Sequence, residues 1–174
     1  MKRAKLSIRE ICIFPLLGAL MFATKLALEF LPNVHMLAVL VTAYTVVFRA
    51  KALYPIYIYV LIQGIYAGLS LWWIPYTYLW TLLWAAVMLL PKDMPPRKAV
   101  PVYMAVCALH GFLFGTLYAP MQALMFGLSF KGMIAWIIAG LPFDAIHGVS
   151  NFFMALLALP IIRALRAALG QKNP

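Results

Sequence analysis

The sequence predicts an all-α integral membrane protein, a bundle of six transmembrane helices with both termini on the cytoplasmic side. Three observations predict it. Of 174 residues 66% are hydrophobic, and the mean hydropathy is +0.96, too apolar for a chain that must present a polar surface to water. The apolar runs divide into about six spans, each read against a hydrocarbon core of about 30 Å. The charges are also sorted. Lys2, Arg3, Lys5, Arg9, Arg49, Lys51, Lys92, Arg97, Lys98, Arg163, Arg166 and Lys172 all fall on one side of that division, leaving only Lys25 and Lys131 of the 14 basic residues. Loops rich in Lys and Arg stay on the cytoplasmic side, so the span count is even.

Each element follows from its boundaries. The first span covers about residues 11–31 and stops at Leu31-Pro32-Asn33, a turn signal. The apolar run continues past Ala23 with no small-residue cleavage site, so it is read as a membrane helix and not as a signal peptide. The second span, about 35–48, is short and ends at Arg49 and Lys51. The third covers about 52–70. Trp72-Trp73-Ile74-Pro75 is then an outer turn at aromatic-belt depth, and the fourth span runs from about 76 to 90. Residues 91–98 form a polar, proline-rich inner loop. The fifth span, about 99–119, is expected to end before Pro120, with 121–132 an outer connection that holds Gln122 and Lys131. The sixth begins near Met133 or Pro142 and ends near Leu169, and Gly140-Leu141-Pro142 is expected to break or kink it.

Residues 1–174 read as one transmembrane domain with no room for a soluble one. A net charge of +10 needs no nucleic-acid partner, because a basic cytoplasmic face lies beside anionic lipid. Cys12 and Cys107 form no CxxC pair and read as buried small hydrophobes. The chain has no GxxxxGK[ST], GxSxG or HExxH, which excludes a P-loop ATPase and the commoner hydrolase signatures. None of His35, His110 and His147 forms an HxxxH pair, and no metal site or cofactor is expected.

Candidate functional residues stand where polarity interrupts the apolar runs. Lys25 and Glu29 are four apart and can pair. A charge inside a membrane faces a partner or a cavity, so they are either a self-neutralising pair or cavity charges. Asp144, His147 and Asn151 share one helix face, as either a polar wall for a solute or an interhelical hydrogen-bond cluster. His110-Gly111 and Gly115 open a gap on the fifth span, with Tyr118 on nearly the same face as His110. Trp72, Trp73, Tyr76, Tyr78 and Trp80 gather at the third outer turn, and Asn33 and His35 lie in the first. Ala19, Ala23 and Ala27 repeat at four-residue spacing, which allows close approach of another helix, from this chain or from a partner.

Ala19-x-x-x-Ala23, Leu31-Pro32-Asn33-Val34-His35 and Leu141-Pro142-Phe143-Asp144-x-x-His147-Gly148-x-x-Asn151 carry a resemblance. Over essentially its whole length the chain resembles the substrate-binding S components of energy-coupling factor (ECF) transporters. That resemblance implies a plasma-membrane protein that captures a vitamin or similar micronutrient from outside. It implies docking, through the alanine face, on a transmembrane coupling protein that carries two cytoplasmic ATPases. It places the substrate site in the outer half, here at Trp72, Trp73, Tyr76, Lys131, Trp136, Asp144, His147 and Asn151. Such aromatic and polar groups suit a small ring compound with polar or charged substituents. Two other readings stand beside it: a membrane-embedded enzyme using Asp144, His147 and His110 as acid–base groups, and a scaffold or assembly protein that binds no solute.

Overall fold

A computed structural model describes residues 6–171; Lys2, Arg3, Lys5 and Lys172 lie outside the described residues. The described elements are all helical: α1 (Ile8–Ala27), α2 (Leu37–Phe48), α3 (Leu53–Ala67), α4 (Tyr76–Met88), α5 (Pro96–Phe112), α6 (Phe114–Phe126), α7 (Phe130–Met154) and α8 (Ala158–Ala168), with short 3-10 turns at Arg49–Ala52, Leu71–Trp73 and Ala155–Leu157. Among the described residues four stretches are long and apolar enough to cross a membrane: Ile8–Ala27, Leu37–Ala67, Pro96–Phe126 and Phe130–Ala168.

Side-chain pairings fix the direction of each helix. Glu10 meets Lys51 at 2.7 Å, Phe14 stacks on Tyr54 and Phe22 packs edge-on against Tyr66, so α3 runs parallel to α1. Phe48 packs on Phe14, and the Tyr44 hydroxyl donates to the Leu17 carbonyl, so α2 runs the opposite way. The chain therefore reverses within Leu37–Ala67. The reversal falls at Arg49, a non-glycine residue at φ 53°, held by its own bond to the Met88 carbonyl (2.7 Å) and by the Trp84 indole N–H on its carbonyl (3.1 Å). The Tyr57 hydroxyl donates to the Thr77 carbonyl while Arg49 reaches Met88, so α4 returns beside α3. Tyr118 donates to the Trp72 carbonyl at one end, and Arg166 pairs with Asp93 at the other. Hence α5–α6 runs one way and α7–α8 comes back.

α2 is the centre. Every residue from Leu37 to Val47 is buried, as an all-round apolar helix requires. α1 lies at the edge, started by a capping box in which Ser7 accepts from the Glu10 N–H while the Glu10 carboxylate accepts from the Ser7 N–H. Gly18 seats α1 on α3: a Cβ there would lie 2.6 Å from Ile58 and 3.0 Å from the Pro55 carbonyl. Arg9, Arg49, Lys51 and Arg166 gather at one end, where Glu10 and Asp93 pair with two of them.

Several sequence expectations are corrected. α1 ends at Ala27, not Leu31, and α5 starts at Pro96 inside the expected loop. The fifth span does not stop before Pro120. It breaks at Leu113, and α6 passes through Pro120 to Phe126, leaving a connection of only Gly127 to Ser129. Gly127, at φ 64°, ends α6 in the left-handed conformation, and the Ser129 hydroxyl caps α7 through the Gly132 N–H. α7 likewise runs unbroken past Pro142; the interruption comes later, at Ala155–Leu157. Membrane-type helices keep such prolines because an apolar surrounding offers the backbone no alternative to the helix. Cys12 is exposed, not buried, whereas Cys107 is buried with its thiol 3.2 Å from the Thr42 hydroxyl.

Candidate functional site

At the end of the bundle away from the basic cluster lies a cavity of about 140 Å3. Its wall is assembled from six helices and one loop. α1 supplies Lys25, the α1–α2 connection Asn33 and His35, α2 Leu37, α3 Tyr59 and Gln63, α4 Tyr76 and Trp80, α6 Phe114, and α7 His147. Helical spacing explains how α3 and α4 each deliver two groups to one face: Tyr59 and Gln63 are four apart on α3, and Tyr76 and Trp80 are four apart on α4.

The wall is aromatic in shape. His35 meets His147 edge-on with ring centroids 4.6 Å apart, and Phe114 lies 4.9 Å from His147. Trp80 is ringed by His35, Tyr59, Tyr76, His110 and Phe114 at 5.5–6.2 Å. The wall is also polar in a particular way. His35 Nδ1, Gln63 Oε1, Trp80 Nε1 and His147 Nε2 are all shut off from solvent and have no hydrogen-bond partner. Buried polar atoms are ordinarily paired, and each unpaired one costs about 1–3 kcal/mol. Four such atoms belong to residues that line one hollow, and a molecule with its own donors and acceptors could complete their bonding. Burial, together with the neighbouring His110 and Lys25, pushes the His35 imidazole down to about 4, so this loop group is neutral at pH 7.

A second cleft of about 300 Å3 adjoins the first and shares Asn33 and Phe114 with it. It is lined further by Gly115, Tyr118, Gln122, Trp136, Gly140, Phe143 and Asp144. A smaller rim hollow holds Glu29 with Lys25, Asn33 and His35. Lys25 pairs with Glu29 and also lines the main cavity, whereas Glu29 lines only the rim hollow.

The expected site residues thus divide. Asn33, His35, Tyr76, His147 and Lys25 meet at the main cavity, and Trp136 and Asp144 line the adjoining cleft. Trp72 supports Tyr76 from behind, with centroids 5.6 Å apart. Trp73 is a structural anchor, its indole N–H donating to the Val60 carbonyl at 2.7 Å. His110 is held in the core with Nε2 donating to the Leu79 carbonyl. Asn151 ties α7 to α5 through the Cys107 carbonyl. Lys131 stands exposed at the start of α7 and lines none of these hollows. The gap expected at Gly111 and Gly115 is filled by α7: added Cβ atoms would lie 2.8 Å from the Gly148 backbone and 2.5 Å from the Asp144 carboxylate. Tyr59, Gln63, Trp80 and Phe114 complete the wall. Gln63 had only a weak polarity signal, Trp80 was one aromatic among several, and Tyr59 and Phe114 carried none that set them apart from core.

Ala19, Ala23 and Ala27 are exposed on the outer face of α1, with Leu16 and Leu20 beside them. A surface hollow of about 490 Å3 runs along α3 over Leu53, Tyr54, Tyr57 and Leu61 and offers almost nothing polar to orient a solute. Among the described residues no group of three His, Cys, Asp or Glu side chains is placed to hold a metal ion. Comparison with family models, with curated proteins and with solved structures finds no match.

Proposed function

We propose that this chain is the solute-binding membrane subunit of an energy-coupled importer, the role that its resemblance to ECF S components implies. The observation that carries the proposal is the cavity walled by aromatic rings, where four buried polar atoms lack partners. Aromatic faces give stacking area and a few convergent polar groups fix orientation, which is the arrangement of a small-molecule site. A scaffold gains nothing from such orphaned groups.

The topology supports the same reading. Read as alternating passes, α1, α2, α3, α4, α5–α6 and α7–α8 give six, and Arg9, Arg49, Lys51 and Arg166 collect at one end. With that end cytoplasmic, both termini face inward and the cavity opens outward. The exposed Ala19, Ala23 and Ala27 face supplies a docking surface for a transmembrane coupling protein with two ATPases, which would provide the energy this chain has no motif to harvest. An acid–base enzyme is less well supported: Asp144 accepts from the Gly115 N–H, His110 bonds Leu79, and neither bonds His147.

The solute is then a small ring compound, such as a vitamin or related micronutrient, bearing donors and acceptors. The protein purified from cells grown in rich medium is denatured, and the released small molecules are identified by mass spectrometry. The expected result is one such compound at near-stoichiometric yield, absent from His147→Phe. An empty wild type that no compound in a micronutrient panel stabilises, or a variant that retains the same molecule, contradicts the reading.

A further inference from the structure

Asp144 is the one acidic side chain in the cavity region that no basic group answers. It is 6% exposed, and among the described residues it enters no ion pair; those present join Lys25 to Glu29, Lys51 to Glu10 and Arg166 to Asp93. Its two oxygens share a single donor, the Gly115 N–H, at 3.0 and 3.1 Å. Gly115 is the second residue of α6, so Asp144 also caps that helix from a neighbouring one. A cap uses one N–H, whereas a carboxylate has about four lone-pair sites. Burying a carboxylate without a counter-charge is expensive, and the remaining sites border the 300 Å3 cleft. Four of its other wall residues are aromatic: Tyr118 and Trp136 stack with centroids 5.7 Å apart and planes 19° apart, beside Phe114 and Phe143, and the neutral Asn33 and Gln122 add no competing charge. Aromatic faces attract cations through their quadrupoles, so walls and carboxylate favour the same charge.

We infer that this cleft is a cation subsite, and that the solute carries a planar, positively charged nitrogen group that pairs with Asp144 and packs on the Tyr118–Trp136 wall. The inference rests on the reading of this end of the bundle as a solute site and narrows it to organic cations. The ring is held by the inner cavity, and the charged group reaches past Asn33 and Phe114 into the cleft.

Benzamidinium and benzamide test it, since they share size and planarity and differ in charge. Binding of each is measured by tryptophan fluorescence in nanodiscs at millimolar concentrations, a range suited to fragments. Wild type is expected to bind benzamidinium roughly tenfold or more tightly than benzamide. Asp144→Asn keeps an oxygen for the Gly115 N–H, and with it the cap, so it folds; it is expected to lose the preference by weakening benzamidinium far more than benzamide. Trp136→Ala weakens both. Equal binding of the two probes to wild type, both weakened by Trp136→Ala, overturns the cation inference and leaves the solute site standing. An Asp144→Asn protein that keeps the preference, or that loses benzamide equally, also overturns it. Binding of neither probe overturns both the inference and the site.

Discussion

Gln63 is where stability and function pull apart. Its Oε1 is buried without a partner on an otherwise apolar stretch of α3. Replacing such a group by an apolar one of similar shape relieves its desolvation penalty. Gln63→Met should therefore raise the stability of the empty protein by about 1 kcal/mol, read as a higher Tm, while weakening solute binding at least several-fold. A lower Tm would make Gln63 a structural residue and weaken the case for the cavity. His35 makes a pH-dependent prediction. Its imidazole is held down at about 4 by burial, against an ordinary 6.5, so the unfolded chain takes up the proton first. Stability from this site is fully present above about pH 6.5 and is lost as pH falls towards 4. Wild type should lose more Tm between pH 7.5 and 4.5 than His35→Gln; equal losses would contradict this. The sequence made His35, His147 and Lys25 visible, because polar residues interrupting apolar runs are conspicuous. It left Tyr59 and Phe114 hidden and showed Trp80 only as one of five aromatics at an outer turn, since an aromatic side chain looks the same whether it fills a core or walls a cavity.

At the scale of elements, the tightest crossing is α5 on α7. A Cβ on Gly111 would sit 2.8 Å from the Gly148 Cα and N, atoms of backbone that cannot swing aside. Gly111→Ala should cost about 1–3 kcal/mol and lower the Tm measurably. Gly140, in the open part of α7, has nothing within 4 Å, and Gly140→Ala should leave the Tm unchanged within error. Equal effects would mean that α5 and α7 do not meet as described. The existence of the helices was legible from the apolar runs and their turn signals, but two ends were misplaced for one reason. Pro120 and Pro142 were weighed by the rule for helices in water, whereas an apolar surrounding keeps the helix intact past them. The true stop, Gly127 followed by Ser129, was present in the sequence and gave way to the proline signal.

For the whole molecule, the account predicts an even number of passes, with the cavity and the termini on opposite sides. In a variant with Cys12 and Cys107 replaced by alanine, a membrane-impermeant thiol reagent added to intact cells should label Ser129→Cys and not Gln171→Cys. Labelling of both from outside would contradict the topology. That Arg9, Arg49, Lys51 and Arg166 share one end was legible from charge alone, because Lys and Arg resist translocation. The division of the candidate site into a cavity and an adjoining cleft was not, since Asn33 and Phe114, which line both, come from a loop and a helix 81 residues apart in the chain.

The central claim is that this chain binds a solute and hands it to a coupling partner. The most direct test co-expresses the tagged protein with the host's ECF coupling protein and two ATPases and asks what is retained on purification. Ala23→Trp, on the exposed face of α1, serves as the comparison because a large side chain there blocks close helix approach. The account predicts that wild type retains the module and Ala23→Trp does not, although both fold with equal Tm. Retention by neither, or equal retention by both, would contradict it.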